Sequence, residues 1–324
     1  MHWLQATVED FTYSDRDHDS SLLMRYGTTK IHLSISERNM AGSAKVLMQY
    51  IKYIQAANEA SNSPHEILFD LWEWIIEGCD AQFSKLQQPS IPLEPTLHDF
   101  YHGPTYHFAL HATANDDLML KPDQGNPPEI HPQHWILYEK FGSLWYSFEP
   151  SEVKICASSP EQALSRTPRE VVTKTGGPYF FKRGLVQHEL ETYAKIEQAN
   201  LQGSRISSLC GIVRESSGTI LGLLLRHVGP ESRTLRRALK QETSSYLRNQ
   251  WIEQLTMTLK ELHAAGIVWG DAKAENVLID GDNNAWIIDF GGGFTAGWVD
   301  EELANTVKGD QQGLSRIVTN ICSQ

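Results

Sequence analysis

The apolar positions of this chain fall into two kinds of spacing. In residues 28–36, Ile31, Leu33 and Ile35 alternate with polar neighbours, which predicts a short strand with one buried face. Val46, Leu47, Tyr50, Ile51 and Ile54 recur at helical spacing and predict a helix over about 41–57. A second helix is expected after Ser63-Pro64, a capping residue followed by a first-turn proline. It carries Ile67, Leu68, Leu71, Trp72, Ile75 and Ile76 on one stripe. Residues 87–104 are proline-rich and read as irregular. Residues 105–149 read as β-rich with a loop over 121–134, and Trp135 to Tyr138 and Leu144 to Phe148 flank Gly142-Ser143 like a hairpin.

Beyond Pro150 the pattern predicts strands near 153–156, 171–174 and 179–182, then a helix over 187–199 and a strand over 219–226. A long amphipathic helix follows over 243–263, with Trp251, Leu255, Leu259 and Leu262 on its apolar face. Val277-Leu278-Ile279 and Trp286-Ile287-Ile288 enclose Asp280-Gly281-Asp282-Asn283-Asn284, a turn cluster between two short apolar runs, and so predict a β-hairpin.

Composition sharpens this into two parts. A length of 324 residues is a prior for about two domains. With 40% apolar and 21% charged residues, the composition is that of an ordinary globular protein and argues against a largely disordered chain. No run approaches the roughly 18 apolar residues of a membrane span. The first residues lack a basic start followed by an apolar stretch, so a cytoplasmic or nuclear location is expected and no membrane partner. The net charge of −12 makes nucleic acid a poor partner. Nearly all of that charge lies in residues 1–150, with 20 acids and 9 bases, against 20 acids and 19 bases in 151–324. Ten of 14 prolines lie in the first part and 17 of 23 glycines in the second. The expected division is therefore an acidic α+β extension of unknown role over 1–150 and a second domain over 151–324. The four cysteines are dispersed without a CxxC pair and read as free thiols.

The chemistry concentrates in Gly266-Ile267-Val268-Trp269-Gly270-Asp271-Ala272-Lys273-Ala274-Glu275-Asn276, followed 13 residues later by Asp289-Phe290-Gly291. Phosphoryl transfer from a nucleotide needs a carboxylate at the acceptor hydroxyl, oxygen ligands for Mg²⁺ and cations on the phosphates. Asp271, in the loop after the long helix, can orient the hydroxyl or take its proton. Lys273 can face the transferred phosphate. Asn276 and Asp289 sit on opposite arms of the hairpin, so an amide oxygen and a carboxylate can reach one metal ion.

This ordered set resembles the catalytic and metal-binding loops of the protein-kinase superfamily. The Gly270-Asp271 pair is closer to the aminoglycoside-phosphotransferase and atypical-kinase variants. Residues 151–324, with Tyr179-Phe180-Phe181-Lys182 and Ile288 to Gly293, are similar to kinase-like proteins of filamentous fungi. The resemblance implies an α+β, bilobal protein-kinase-like fold with a truncated C-lobe, the N-lobe over about 151–230 and the C-lobe over about 231–324. It implies ATP and Mg²⁺ as cofactors. The activity implied is transfer of the γ-phosphate to a hydroxyl of a protein Ser/Thr or of a small molecule. Lys182, with Lys174 as rival, would anchor ATP and pair with Glu189, with Glu191 as rival. Adenine would lie along Leu224 and Leu225, through backbone groups near 224–227. Asn276 and Asp289 would hold metal, and Asp310 would brace the catalytic loop.

Four departures accompany the resemblance. No Gly-x-Gly-x-x-Gly precedes Lys182. Only seven residues separate Lys182 from Glu189, fewer than the family normally shows. Trp269 stands where the family usually has histidine, and could pack on Phe290 in the same role. Asp289 and Asp310 are 21 residues apart with no Ala-Pro-Glu between them. The missing glycine loop favours an alternative reading as a pseudokinase-type scaffold for nucleotide or protein. The intact Asp271, Asn276 and Asp289 oppose it. His98, His102, His107 and His111 read as scattered histidines rather than a metal site. Arg233, Arg236, Arg237, Lys240 and Arg248 read as a salt-bridged surface, with docking of an anionic partner as the sharper idea.

Overall fold

The computed structural model describes residues 6–14, 16–59, 64–123, 144–184, 187–201 and 204–323. They divide into two compact units: Met1–His131 with Lys154–Pro168, and Pro132–Val153 with Arg169–Gln324. The division is thus an exchange of segments rather than one cut at 150. Ile155 N–H donates to the Pro95 carbonyl, and Arg25 donates to the Leu164 carbonyl, which ties 154–168 to the first unit. Tyr146–Phe148 pairs with a strand of the second.

In the first unit, β1 (Ala6–Tyr13), β2 (Ser20–Tyr26), β3 (Thr29–Ile35), β4 (Thr105–Ala112) and β5 (Leu118–Pro122) form a sheet in that order. The β3–β4 pair is parallel and the others antiparallel. A parallel neighbour requires a long crossover, which here carries α1 (Glu37–Met40), α2 (Ala44–Glu59), α3 (Pro64–Phe83) and α4 (Leu97–His102). The strand alternation buries Leu22, Met24, Ile31, Leu33 and Ile35 on one face, in one core with Tyr50 and Ile54 of α2 and Leu71, Ile75 and Cys79 of α3. Residues 87–104 are not wholly irregular. Thr96 and Asp99 form a capping box that starts α4. Arg25 is fully buried with Glu9 and lies 3.7 Å from the centre of the Phe100 ring, so its charge is paired and stacked.

In the second unit, β6 (Tyr146–Phe148), β8 (Glu170–Thr173), β9 (Gly176–Arg183), β10 (Leu209–Arg214) and β11 (Ile220–Arg226) are ordered β6–β10–β11–β9–β8; Val153–Ile155 is β7. Of the hairpin expected around Gly142-Ser143, residues 135–143 lie outside the described residues. Its other arm, β6, pairs parallel with β10. Helix α6 (Gln187–Gln198) follows β9; α5 is Pro160–Ser165 of the first unit. Beyond β11 come β12 (Arg233–Thr234), α7 (Leu235–Ala238), α8 (Ser245–Ala264), the hairpin β13 (Val277–Ile279) and β14 (Ala285–Ile287), and α9 (Val307–Ser323). A strand-rich part and a helical part thus make a bilobal, kinase-like α+β arrangement. One core runs through it, from Leu190 and Tyr193 through Leu223 and Leu225 to Trp251, Trp269, Phe290 and Ile317. Gly313 of α9 lets the helix approach the loop at Ala272. A Cβ added there would lie 2.5 Å from the Ala272 side chain and carbonyl oxygen.

Candidate functional site

Three elements meet at Lys182. Strand alternation points it to the face of β9 that packs on α6, and its Nζ lies 2.8 Å from Glu189 Oε2 and 2.9 Å from Asp289 Oδ1. Glu189 sits in the first turn of α6 with 1% of its side chain exposed. Burial works against the Lys182 charge, but the Glu189 and Asp289 carboxylates outweigh it and hold the ammonium above its ordinary pKa. Burial also pushes the Glu189 carboxyl up, with Lys182 pulling the other way. The rivals do not converge here. Lys174 is exposed in the β8–β9 turn, and Glu191 accepts a hydrogen bond from Gln187 Nε2 at 3.1 Å.

Asp271 belongs to a second cluster. Lys273 Nζ is 2.5 Å from Asp271 Oδ2 and donates to Thr295 Oγ1 at 2.9 Å. Thr295 Oγ1 donates to Asp271 Oδ1 at 3.0 Å. Asn276 Nδ2 donates to the Asp271 carbonyl at 2.9 Å and to Asp271 Oδ2 at 3.1 Å. Both Asp271 oxygens are therefore fixed in direction. Below the loop, the buried Asp310 carboxylate accepts from Trp269 N–H and Gly270 N–H, each at 2.8 Å, and stands 2.8 Å from His263 Nε2. Trp269 is fully buried in the core that also holds Phe290. Its indole N–H donates to the Ile288 carbonyl at 2.9 Å.

The hairpin links the clusters. Ile288 N–H donates to the Asn276 carbonyl at 3.0 Å, which sets Asp289 beside Asn276. Asp289 has φ of 64°, a left-handed conformation uncommon for a non-glycine residue, and its side chain is 40% exposed. Phe290 is buried, edge-on to Tyr193 with ring centroids 5.7 Å apart. Leu224 and Leu225 lie in β11, paired on both sides by β9 and β10, so their backbone groups serve the sheet. The chain leaves that pairing only after Arg226.

These residues fit a nucleotide with Mg²⁺. That ion is typically held by one or two carboxylates plus substrate phosphates. Asp289 supplies a partly exposed carboxylate, and with its Nδ2 turned to Asp271, Asn276 keeps its amide oxygen as acceptor. Thr295 is the member of the site that the sequence pattern does not single out. It lies in a glycine-bordered segment with no periodicity, where a hydroxyl carries no signature of its own. Among the basic residues, Arg236 pairs with Glu275 at 3.0 Å, and Arg248 donates to the Thr243 and Ile321 carbonyls. Among the described residues, no group of three or more His, Cys, Asp or Glu is arranged to hold a metal.

Residues 185–312 match the protein kinase domain family model. This supports a protein kinase-like superfamily for that part of the chain, and a kinase as the enzyme class. Two mammalian proteins, the mouse and human hormonally up-regulated neu tumor-associated kinases, are each 50% identical over 42 residues. That stretch is 13% of this chain and 6% of theirs. A homolog B of the same kinase from Xenopus laevis is 40% identical over 52 residues, 16% of this chain and 8% of its own. The chain thus spans less than a tenth of the length of these relatives. The kinase-matched segment holds Glu189, Leu224, Leu225, Asp271, Lys273, Asn276 and Asp289. Lys182 lies just before it and joins the site through geometry alone.

Proposed function

We propose that the second unit is an ATP- and Mg²⁺-dependent phosphotransferase acting on a hydroxyl, either of a protein Ser/Thr or of a small molecule. The observation that carries this reading is the Lys182 ammonium of β9 shared by Glu189 of α6 and by Asp289 just after β14, together with an Asp271 oriented by Lys273, Thr295 and Asn276. A bound nucleotide with its metal supplies the electrophilic γ-phosphorus. The side chains supply the rest. Lys182 is a fixed cation for phosphate oxygens, held by Glu189. Asp289 and the Asn276 amide oxygen would hold the metal. Asp271, positioned by Thr295 and Asn276, orients the acceptor hydroxyl and takes its proton. Lys273, hydrogen-bonded to Asp271, neutralises charge on the transferred group.

A pseudokinase scaffold has no chemical need for the Asp271–Lys273–Thr295 arrangement, so that arrangement favours the enzyme. The test is Mg-ATP binding by thermal shift together with ADP release. Mg-ATP should raise the melting temperature. Asp271→Asn should cut turnover by about 10²- to 10⁴-fold while leaving that shift in place. Turnover unchanged in Asp271→Asn, or no shift with Mg-ATP in the wild type, would overturn the reading.

A further inference from the structure

The basic segment 233–248 does not lie at random on the surface; it is built against the loop that carries Asp271. Asn276 Nδ2 donates to the Asp271 carbonyl and carboxylate, which folds the short turn Ala274–Asn276 back onto Asp271 with Glu275 in its middle. Helix α7 packs on that turn, and β12 pairs with β13, the strand that follows it. Leu235 and Ala238 of α7 are buried, so Arg236 and Arg237 between them are turned outward, and Lys240 is exposed just beyond. Arg248 holds the Lys240 end of the segment in place by donating to the Lys240 carbonyl at 3.1 Å.

Charge on this face is arranged in one direction. Arg236 Nη1 lies 3.0 Å from Glu275 Oε1, and Glu275 Oε2 is shut off from solvent. Neither oxygen of that carboxylate is open to a cationic acceptor. Arg233 stands opposite Ile279, toward Asp280 and Asp282, whose charges offset its own. Arg237 and Lys240 form no ion pair among the described residues and are left as uncompensated cations beside the catalytic loop. They are exposed on a one-turn helix and the chain just after it. A small metabolite needs enclosure, whereas exposed cations suit an extended chain that carries several negative charges. We infer that the acceptor is a protein segment with Asp or Glu close to its Ser/Thr, that Arg237 and Lys240 bind those carboxylates, and that Arg236 is a positioning residue that neutralises Glu275. This deepens the phosphotransferase reading and rests on it.

The experiment is phosphorylation of an oriented Ser/Thr peptide library by the full chain with Mg-ATP, followed by kcat/KM for one acidic peptide and its Asn/Gln counterpart. An extended chain advances roughly 3.3 Å per residue, so Asp and Glu should be enriched within about four residues on one side of the acceptor, with Arg and Lys disfavoured. The acidic peptide should be used about 10-fold or more better than its neutral counterpart at low salt, and that ratio should shrink near 1 M salt, where charges are screened beyond about 3 Å. Arg237→Glu with Lys240→Glu should bring the ratio to about one or below. Arg236→Ala should lower the ratio and added Glu275→Gln should restore it, which a mere loss of packing would not do. Flat charge preference, enrichment of Arg or Lys, or a ratio unmoved by the double reversal would overturn the inference, as would a library that is not phosphorylated. Melting of the same samples with Mg-ATP separates the two readings. A shift leaves the phosphotransferase standing with another acceptor, and no shift removes it and this inference together.

Discussion

Asp310 offers the sharpest test of how the catalytic loop is held. Its carboxylate is 1% exposed and has three partners at 2.8 Å: Trp269 N–H, Gly270 N–H and His263 Nε2. Each hydrogen bond to a charged acceptor is worth about 1.5–3 kcal/mol net, and a buried N–H left unpaired costs about 1–3 kcal/mol. Asp310→Ala strands two backbone donors at once, so its cost should reach about 3–5 kcal/mol. Asp310→Asn keeps one acceptor oxygen but turns an NH₂ toward a donor, and should cost about 2–3 kcal/mol. Denaturant unfolding followed by tryptophan fluorescence measures the total. Amide hydrogen exchange locates it, because Trp269 and Gly270 should lose protection before the strands of β9–β11 do. A cost under about 0.5 kcal/mol for Asp310→Ala, with the Trp269 amide still protected, would refute the bracing role.

Other substitutions probe different links. Thr295→Val removes the hydroxyl between Asp271 and Lys273 while keeping the volume, and should lower kcat by about 10-fold or more with KM for ATP little changed; Thr295→Ser should restore most of it, and steady-state kinetics reads the split. Gly313→Ala would normally favour a helix, but a Cβ there meets Ala272 at 2.5 Å. Chemical denaturation should therefore show a loss of about 1–3 kcal/mol instead of a gain. His32 of β3 bonds Ser21 at 2.8 Å and lies 5.4 Å from the His107 ring. Burial and then His107 hold its pKa below the ordinary 6.5, against a smaller upward pull from Asp123. The unfolded chain therefore takes up this proton first, and stability that is complete above pH 6.5 falls as the pH drops below it. Melting of the first unit should move down between pH 7.5 and 5.5, and His32→Asn should flatten that slope.

Much of the helical and hairpin content was legible because one buried face leaves a strong period. Gln187–Gln198, Ser245–Ala264 and the β13–β14 hairpin fall close to where Tyr193, Trp251 or the Asp280–Asn284 turn place them. The elements that escaped carry weaker periods. Leu209–Arg214 is a strand paired on both sides, and its short run of Leu, Cys, Gly, Ile and Val has no alternation to read. Helix α9 hides its helical nature behind Gly309 and Gly313, which are poor helix formers kept because the Leu303 carbonyl and Ala272 press against them. In the first unit, Leu22 and Met24 of β2 alternate as a half-buried strand should, yet Arg25 interrupts them with a buried charge whose partners lie far off in sequence. The site shows the same division. Asp271, Asn276 and Asp289 are marked by spacing, whereas Thr295 is drawn in by tertiary structure alone.

The short Lys182–Glu189 spacing illustrates how local geometry can replace a missing sequence signature. Strand β9 ends at Arg183 and α6 begins at Gln187, so the lysine is one residue from the end of its element and the glutamate is in the first turn of the next. Gly184, at φ of 77°, turns the chain out of the strand immediately after Arg183. An ion pair across such a corner needs neither a long connection nor a helix that slides into place. What it needs is an anchor for the far side of the helix. Tyr193, one turn beyond Glu189, provides that anchor, with its hydroxyl 2.9 Å from Ser207 Oγ and its ring against Phe290. The residue that positions Glu189 therefore also packs on the residue following Asp289. The two carboxylates that share Lys182 thus flank a common support, Tyr193 with the Phe290 ring against it.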